Sequence, residues 1–485
     1  MKLIFGWFFI SVILLTQVVA GQNFEWSTHI GTGRFSRILD FDVDSLGNSY
    51  IIVNDISDSI FSPQKKYKDT VNGTWILKHS PQNQSLWAYK SAFTRYFEIQ
   101  NTKSLWLYTA NPFSANVLNL NTRDTTFNIG KFDNAILNID SNGNYINDEL
   151  IQPLPKTFLN QDFALNSNAI YQNKVETDPN IKKAINKIRK ISLSGSVTDS
   201  IQLDSILFKS STLGKNAQNI TQTEVNVFRD KVYLLGKNEG ISIKGKTFQE
   251  PHVGIILDTN LSILYAKGVN LYKDLTVKNN NFEILSAKPF VNNFVITGNF
   301  NDGSGPSRQN GPEFETIGEP KGFVALLSDS FELKWIISTE LLNVPKVPAF
   351  SSQVSFISIL NAALDVKDGF IYIIGEYSGK HRFDQFKLPE FGAQGNGPFA
   401  ATFMSKLDTN GNVIWVYATA PKDSNDALLN PNLLLEIDTA KNVYFSGSYT
   451  KNFIIGPDSN SAFGNSDVFL AKVSDLSLRR DTNLA

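Results

Sequence analysis

The chain has 485 residues, of which 42% are hydrophobic and 19% charged, and this composition excludes a chain that is disordered throughout. Lysine and arginine number 45 against 46 aspartates and glutamates, so no net charge favours nucleic acid, an anionic membrane or an acidic partner. Cysteine is absent, which excludes disulfides, thiol catalysis and thiolate metal sites.

The first predicted element is an apolar run, Leu3–Leu15, which follows Lys2 and precedes small residues that end at Ala20. A membrane-spanning helix needs about 20 apolar residues, so this run is too short to cross a bilayer comfortably. The pattern predicts a secretory signal peptide over 1–20, with a signal anchor as the alternative. No later segment is apolar enough to span a membrane, so we expect residues 21–485 to be secreted or exposed at the cell surface. We also expect them to form a single domain.

One pattern then recurs along the chain, and it joins two apolar runs through a polar turn. Its clearest copy is "KLDTNGNVIWVYATA" at Lys406–Ala420. Runs of β-branched and aromatic residues bounded by Asn, Asp and Gly are typical of strands joined by a tight turn. The seven copies begin at Lys78, Asn138, Lys190, Ile255, Leu326, Lys406 and Phe469.

A second pattern lies between the copies of the first, and its clearest copy is "DSLGNSYIIV" at Asp44–Val53. Each copy has one anchor residue, and successive anchors are 56 to 77 residues apart. Because two patterns that alternate also agree in number, they indicate seven structural repeats. The anchors are Tyr50, Trp106, Tyr171, Tyr233, Val295, Tyr372 and Tyr444.

Each repeat has enough short strand patterns for four antiparallel strands. The sequence therefore predicts an all-β fold, a seven-bladed β-propeller of four-stranded antiparallel blades. Trp26 occupies the place that Trp87, Trp335 and Trp415 hold on the last strand of a repeat, and the seventh repeat has little sequence for a last strand of its own. We expect the N-terminal strand to complete the last blade and close the ring, which hides two sheet edges.

These repeats resemble the SBBP-type β-propeller repeats of bacterial secreted and surface proteins. The resemblance is carried by Asp44–Val53, by "MSKLDTNGNVIW" at Met404–Trp415 and by "FGNSDVFLAKVSD" at Phe463–Asp475. It extends over nearly the whole chain after the leader. The resemblance implies a propeller fold and an exported bacterial protein, and it implies much less about activity.

The polar turn of the first pattern has the spacing of a calcium-binding loop. Asp408, Asn410 and Asn412 match positions 1, 3 and 5 of an EF-hand, but Val413 and Thr419 stand where such a loop needs Gly and a carboxylate. Asn and Gly adopt positive φ readily, and Asp caps its own turn. We therefore predict a hairpin turn here, and we predict no metal site and no cofactor.

Four acidic residues are candidate binding residues at the inner strands of the blades. Alternation places Asp40, Asp42 and Asp44 on one strand face, so Asp42 is predicted to face the central channel. Glu98, Glu224 and Glu436 are assigned to the same channel from other blades. A polar ring of this kind holds a cation or a ligand, or else it is simply hydrated.

Catalytic motifs are lacking in the sequence. His29, His79, His252 and His381 are scattered, and no Gly-X-Ser-X-Gly elbow or phosphate-binding loop occurs. Loop aromatics such as Phe383 are candidate ligand contacts.

The preferred hypothesis is therefore a non-catalytic binding, adhesion or scaffold module for a protein or carbohydrate ligand, monomeric or part of a surface assembly. The alternative is an extracellular polysaccharide lyase or glycosidase whose acids converge at the channel mouth.

Overall fold

The computed structural model describes residues 22–31, 36–55, 59–62, 65–68, 73–91, 94–101, 104–110, 115–119, 125–129, 134–140, 142, 163–165, 169–178, 183–192, 197–203, 224–228, 230–237, 242–243, 246–271, 282–300, 321–342, 356–365, 367–390, 401–418, 429–449, 452–455, 458–461 and 466–475. All regular elements in these residues are β-strands, and all strand pairs are antiparallel, so the predicted all-β class is confirmed.

The strands in the first half of the chain are β1 (Gln22–Ile30), β2 (Ser36–Val43), β3 (Ser49–Asp55), β4 (Ser59–Ser62), β5 (Lys65–Lys68), β6 (Gly73–His79), β7 (Ser85–Ser91), β8 (Thr94–Asn101), β9 (Ser104–Ala110), β10 (Ala115–Asn119), β11 (Thr125–Ile129), β12 (Asn134–Asp140), β13 (Phe163–Leu165), β14 (Ala169–Asp178), β15 (Lys183–Ser192), β16 (Val197–Leu203), β17 (Glu224–Phe228) and β18 (Lys231–Lys237).

The strands in the second half are β19 (Ser242–Ile243), β20 (Lys246–Thr247), β21 (His252–Asp258), β22 (Ile263–Val269), β23 (Phe282–Phe290), β24 (Asn293–Phe300), β25 (Lys321–Ser328), β26 (Leu333–Leu341), β27 (Phe356–Asp365), β28 (Phe370–Ser378), β29 (His381–Phe383), β30 (Phe386–Lys387), β31 (Ala401–Asp408), β32 (Val413–Ala418), β33 (Leu429–Ile437), β34 (Asn442–Tyr449), β35 (Asn452–Ile455), β36 (Asp458–Ser461) and β37 (Asp467–Asp475).

Among the described residues these strands form seven sheets with three or more strands each. In chain order we number them sheet one (β2-β3-β6-β7), sheet two (β8-β9-β12), sheet three (β13-β14-β15-β16), sheet four (β17-β18-β21-β22), sheet five (β23-β24-β25-β26), sheet six (β27-β28-β31-β32) and sheet seven (β33-β34-β37-β1).

The anchor residues of the sequence lie on the second strand of each sheet. In sheet one the strand registers pair Asp42 with Tyr50, Tyr50 with Lys78, and Lys78 with Trp87, which defines one transverse row of four residues. The corresponding rows of sheets six and seven are Ala363-Tyr372-Lys406-Trp415 and Glu436-Tyr444-Lys472-Trp26.

Among the described residues, the first strands of consecutive sheets contact one another at six of the seven junctions, all except that of sheets two and three. Contacts join β2 to β8, β13 to β17, β17 to β23, β23 to β27, β27 to β33 and β33 to β2. Five apolar clusters among the described side chains fill the five consecutive junctions from sheets three and four to sheets seven and one. Sheets that bury their faces against neighbours around a common inner edge have the arrangement of propeller blades.

Sheet seven combines both ends of the chain. β1 pairs antiparallel with β37, with Trp26 opposite Lys472. Sheet seven also bonds to sheet one, because the Ser36 N–H donates to the Ser466 carbonyl at 2.8 Å and the Ser466 hydroxyl donates to the Ser36 carbonyl at 3.0 Å. The Ile38 N–H donates to the Ser448 hydroxyl at 3.1 Å. The pairing expected from the matched tryptophans is thus present.

Hairpins inserted between the second and third strands cover outer sheet edges. β10 pairs with β7, the outer strand of sheet one, and β29 pairs with β26, the outer strand of sheet five. The hairpin β4–β5 contacts the end of β1, the outer strand of sheet seven, through Phe61 and Gly31. In all three cases a sheet protects the edge of the preceding sheet, which removes unpaired backbone groups from solvent.

Candidate binding site at the inner row

Each transverse row begins on the first strand of its sheet, and the first strands bring charged and polar residues of several sheets to one level. The strand registers place a single first-strand residue opposite each anchor. We call these seven residues the inner row. They are Asp42, Glu98, Ala164, Asn226, Lys288, Ala363 and Glu436.

An ion pair crosses the inner row between sheets five and seven. The Lys288 Nζ lies 2.7 Å from Glu436 Oε1, and both side chains are about one-quarter exposed, at 29% and 27%. Between these sheets lies sheet six, whose inner-row residue is the buried Ala363. A small residue at this place leaves room for the long lysine side chain to reach past sheet six.

Asp42 lies beside this ion pair. Its Oδ1 accepts the Val43 N–H at 2.7 Å. Burial raises the pKa of Asp42 well above its usual range, and the neighbouring Glu436 carboxylate raises it further, whereas the Val43 N–H and Lys288 act in the opposite direction. The site therefore holds two carboxyl groups with different environments, because Glu436 has a lysine partner and Asp42 is poised to keep its proton.

One of the four predicted residues is displaced from the inner row. Glu224 pairs with Leu235 at the start of β17, and Asn226, two residues later, is opposite the anchor Tyr233. The Asn226 side-chain amide donates to the Ala287 carbonyl at 3.1 Å and so joins sheets four and five. Glu224 therefore lies two residues before the inner-row position of sheet four, and its place in the channel stays a prediction.

Asp42, Glu98 and Glu436 all belong to the inner row, and the structure brings Asp42 and Glu436 together. The side chains of Glu98 and Glu224 lie outside the described residues. Sequence reasoning missed Lys288 and Asn226, since it searched for acids only. Counting back seven residues from Val295 and Tyr233 would have found both.

The polar turns that begin at Asp408 and Asp44 are hairpin turns, as predicted. Asp408 Oδ1 accepts the N–H groups of Asn410 and Asn412 at 2.8 Å, and Asp408 Oδ2 accepts the Asn412 side-chain amide at 2.8 Å. Asp44 makes the same bonds to its own turn and lies beyond the end of β2, so it is not on a strand face with Asp42. These carboxylates are occupied by the turns that they cap.

No group of three or more His, Asp or Glu side chains in the described part of the chain is placed to hold a metal ion. The histidines lie in different places of the fold, and His79, His252 and His381 are buried. Burial lowers the pKa of His79 to about 3 and that of His381 to about 4. Phe383, a predicted ligand contact, is instead fully buried in the core between sheets five and six.

A second unusual carboxyl group lies outside the inner row. Glu376 is on β28, opposite Thr402 of β31 and Ser358 of β27. Burial raises the pKa of Glu376 to about 7. Perturbed carboxyl groups mark functional sites in many proteins, but they also occur in structural cores. A substitution of Glu376 therefore tests, first of all, whether burial of this carboxyl group affects the stability of the fold.

Within the described ranges, no helix is long and apolar enough to cross a membrane. No family model matches this chain, and no curated protein matches it.

Among solved structures, the chain is similar to a member of the DUF4221 family from Bacteroides vulgatus, with 9% identity, 93% of this chain and 100% of that chain covered, and a TM-score of 0.34. It is also similar to the Dos1 propeller, at 12% identity, 93% and 95% coverage and a TM-score of 0.38. The polysaccharide lyase Uly1 gives 8% identity, 95% and 94% coverage and a TM-score of 0.38. Similarity at this level carries no information about activity.

Proposed function

We propose that the seven sheets close into a seven-bladed β-propeller in which β1 completes the last blade. The contacts between consecutive first strands and the pairing of β1 with β37 support this ring. We further propose that residues 1–20 are removed as a signal peptide and that 21–485 act as one domain, secreted or at the cell surface. The leader pattern and the resemblance to exported repeat proteins support the location.

We infer that this propeller is a non-catalytic binding or adhesion module. The observation that carries the inference is the Lys288–Glu436 ion pair, which crosses the inner row and satisfies both charges within the protein. A ligand then contacts a face of the ring, not a reactive group in the channel. Its class is a protein or a carbohydrate at the cell surface, and the ring is a monomer or one part of a surface assembly.

The test is an array of glycans and surface proteins probed with residues 21–485. We expect binding to at least one glycan or protein and no turnover of it. Size-exclusion chromatography detects the products if a polysaccharide of the array is degraded. Such degradation would overturn the non-catalytic assignment. An array without binding and without turnover would leave a scaffold role and contradict adhesion.

One observation favours the enzymatic alternative, a polysaccharide-active enzyme. Asp42 has a raised pKa and lies beside the lysine-paired Glu436. A carboxyl group that keeps its proton can act as general acid, and a neighbouring ion-paired carboxylate can act as base or nucleophile, in glycoside cleavage. If turnover is found, Asp42→Asn and Glu436→Gln should each reduce it by about 100-fold or more. Asp329→Asn, in an exposed turn, is the matched control.

A further inference from the structure

The hairpin β4–β5 lies between the end of β1 and sheet one. Gly31, directly after β1, and Phe61 of β4 exchange two backbone hydrogen bonds, of 3.1 Å and 2.8 Å. Ile60 and Tyr67 of the hairpin pack into the apolar cluster between sheets seven and one, together with the buried Ile30 of β1. The hairpin thus covers the end of the strand that completes sheet seven.

A chain of buried polar groups holds this hairpin on sheet one. The Tyr67 hydroxyl lies 2.8 Å from the Ser85 hydroxyl, and the Ser62 hydroxyl lies 3.1 Å from Ser85 Oγ and 2.7 Å from His79 Nε2. Tyr67 and Ser62 belong to the hairpin, whereas His79 and Ser85 belong to β6 and β7. His79 is fully buried, and its Nδ1 has no hydrogen-bond partner among the residues that the structure describes.

Protonation of His79 is incompatible with this arrangement. The imidazolium would carry a second N–H donor at Nδ1, where no described residue places an acceptor, and its charge would be buried. Burial is the cause that lowers the pKa of His79, from 6.5 to about 3. The other titratable groups nearby are His29 of β1, whose pKa burial lowers, Tyr67, whose pKa burial raises, Lys66, whose Nζ lies over the Phe61 ring, and Asp467, which lies against Gly31.

We propose that the hairpin β4–β5 is an acid-released latch, which holds the end of β1 at neutral pH and opens locally as the pH falls. Opening exposes His79 to solvent and lets it take up a proton. It also frees the backbone N–H and carbonyl groups of Gly31 at the end of β1, which can then pair with a further strand. The latch does not depend on whether the protein binds a ligand or cleaves one.

The test is hydrogen exchange of the full chain between pH 7 and pH 4.5, corrected for the intrinsic exchange rate. The open form binds a proton with the ordinary histidine pKa and the closed form does not, so opening should become about 50- to 100-fold more frequent at pH 4.5. We expect this acceleration at the amides of Gly31 and Phe61, with no such change at Ile371 and Ile373 in the middle of sheet six. Equal acceleration in sheet six would mean global unfolding and would overturn the latch.

His79→Gln should abolish the pH dependence, because glutamine occupies the site without titrating. His252→Gln removes another buried histidine and should leave the pH dependence as it is. If His79→Gln does not fold, Ser62→Ala is the second variant, and it should accelerate exchange at pH 7 while the pH dependence remains. Unchanged pH dependence in His79→Gln, or none in Ser62→Ala, contradicts the proposal.

Discussion

At the scale of the residue, the residues that recur in the repeats contribute to packing and to turn formation. The lysines of the third strands, Lys78, Lys406 and Lys472, are buried and place their ammonium groups over the aromatic rings of the second strands. Lys406 Nζ lies 3.8 Å from the centre of the Phe370 ring. A lysine can be buried in this way because its stem is apolar and the ring face attracts its charge. These residues are therefore core positions and not ligand contacts.

Glu376 is the residue for which the structure predicts a pH effect on stability. Its pKa is raised from 4.5 to about 7, so the folded state favours the protonated form. The resulting stability is fully present below pH 4.5 and is lost as the pH rises through 7. Glu376→Gln should therefore unfold like the wild type at pH 4 and be more stable at pH 8.5, by up to about 3 kcal/mol from about 1.4 kcal/mol per pKa unit.

Urea denaturation at both pH values measures this difference. The matched control is Glu332→Gln, because Glu332 is exposed and its pKa is lowered by the hydrogen bond from Lys267. That variant should lose stability at pH 8.5 instead of gaining it. Equal stability of Glu376→Gln and wild type at pH 8.5 would show that the carboxyl group is solvated.

At the scale of the element, the hairpin turns also bind neighbouring sheets together. The Trp335 indole N–H of sheet five donates to the Thr409 carbonyl in the β31–β32 turn at 2.9 Å. In the same way the Trp26 indole N–H of sheet seven donates to the Pro81 carbonyl in the β6–β7 turn at 3.0 Å. A turn that can be predicted from a few neighbouring residues thus also forms a contact between two sheets.

Gly411 tests this double role, because it has a φ of +81° and a Cβ there would lie 2.9 Å from the Trp335 ring. Gly369 has a similar φ of +76°, but its Cβ would meet only the Thr409 methyl group, at 3.2 Å. Gly369→Ala should cost about 1–2 kcal/mol from the backbone alone. Gly411→Ala should cost about 1–3 kcal/mol more, since the tethered ring cannot move away easily.

The free energies of unfolding of the two variants, measured side by side, separate the two effects. If both alanine variants lose the same stability, the contact of the turn with Trp335 contributes nothing measurable.

At the scale of the whole molecule, the two chain ends meet in one sheet. β1 supplies the outer strand of sheet seven, the Trp26 ring lies 6.3 Å from that of Tyr444, and Ile30 is fully buried. Deletion of Phe24–Ile30 should therefore lower the melting temperature of the entire chain in a single transition, because the edge of β37 and an apolar cluster become exposed.

Differential scanning calorimetry measures this effect. Trp26→Phe, which keeps the strand but loses the indole hydrogen bond to Pro81, should have a much smaller effect. A deletion variant that melts at the wild-type temperature would contradict a stabilising role for β1.

Much of this architecture was predictable from the sequence, whereas the residues of the inner row were predicted only in part. The anchors Tyr50, Tyr372 and Tyr444 all occupy the predicted second strands, and the aspartate-capped turns form where the sequence predicts them. The residue opposite the anchor of sheet four is Asn226 and not Glu224, and the length of the turn after a first strand, which sets this register, varies between sheets. The ion pair of Lys288 with Glu436 was not predictable, because 148 residues separate the two in the sequence.

The sequence by itself determined the strands and the turns that join them, since alternation, turn residues and aromatic anchors act over a few neighbouring residues. Tertiary structure alone decided which inner residues meet. Lys288 and Glu436 form an ion pair, Asp42 has a raised pKa beside them, and a buried Ala363 leaves the space between. These properties depend on distances and burial across different sheets, which are set by packing and not by spacing along the chain.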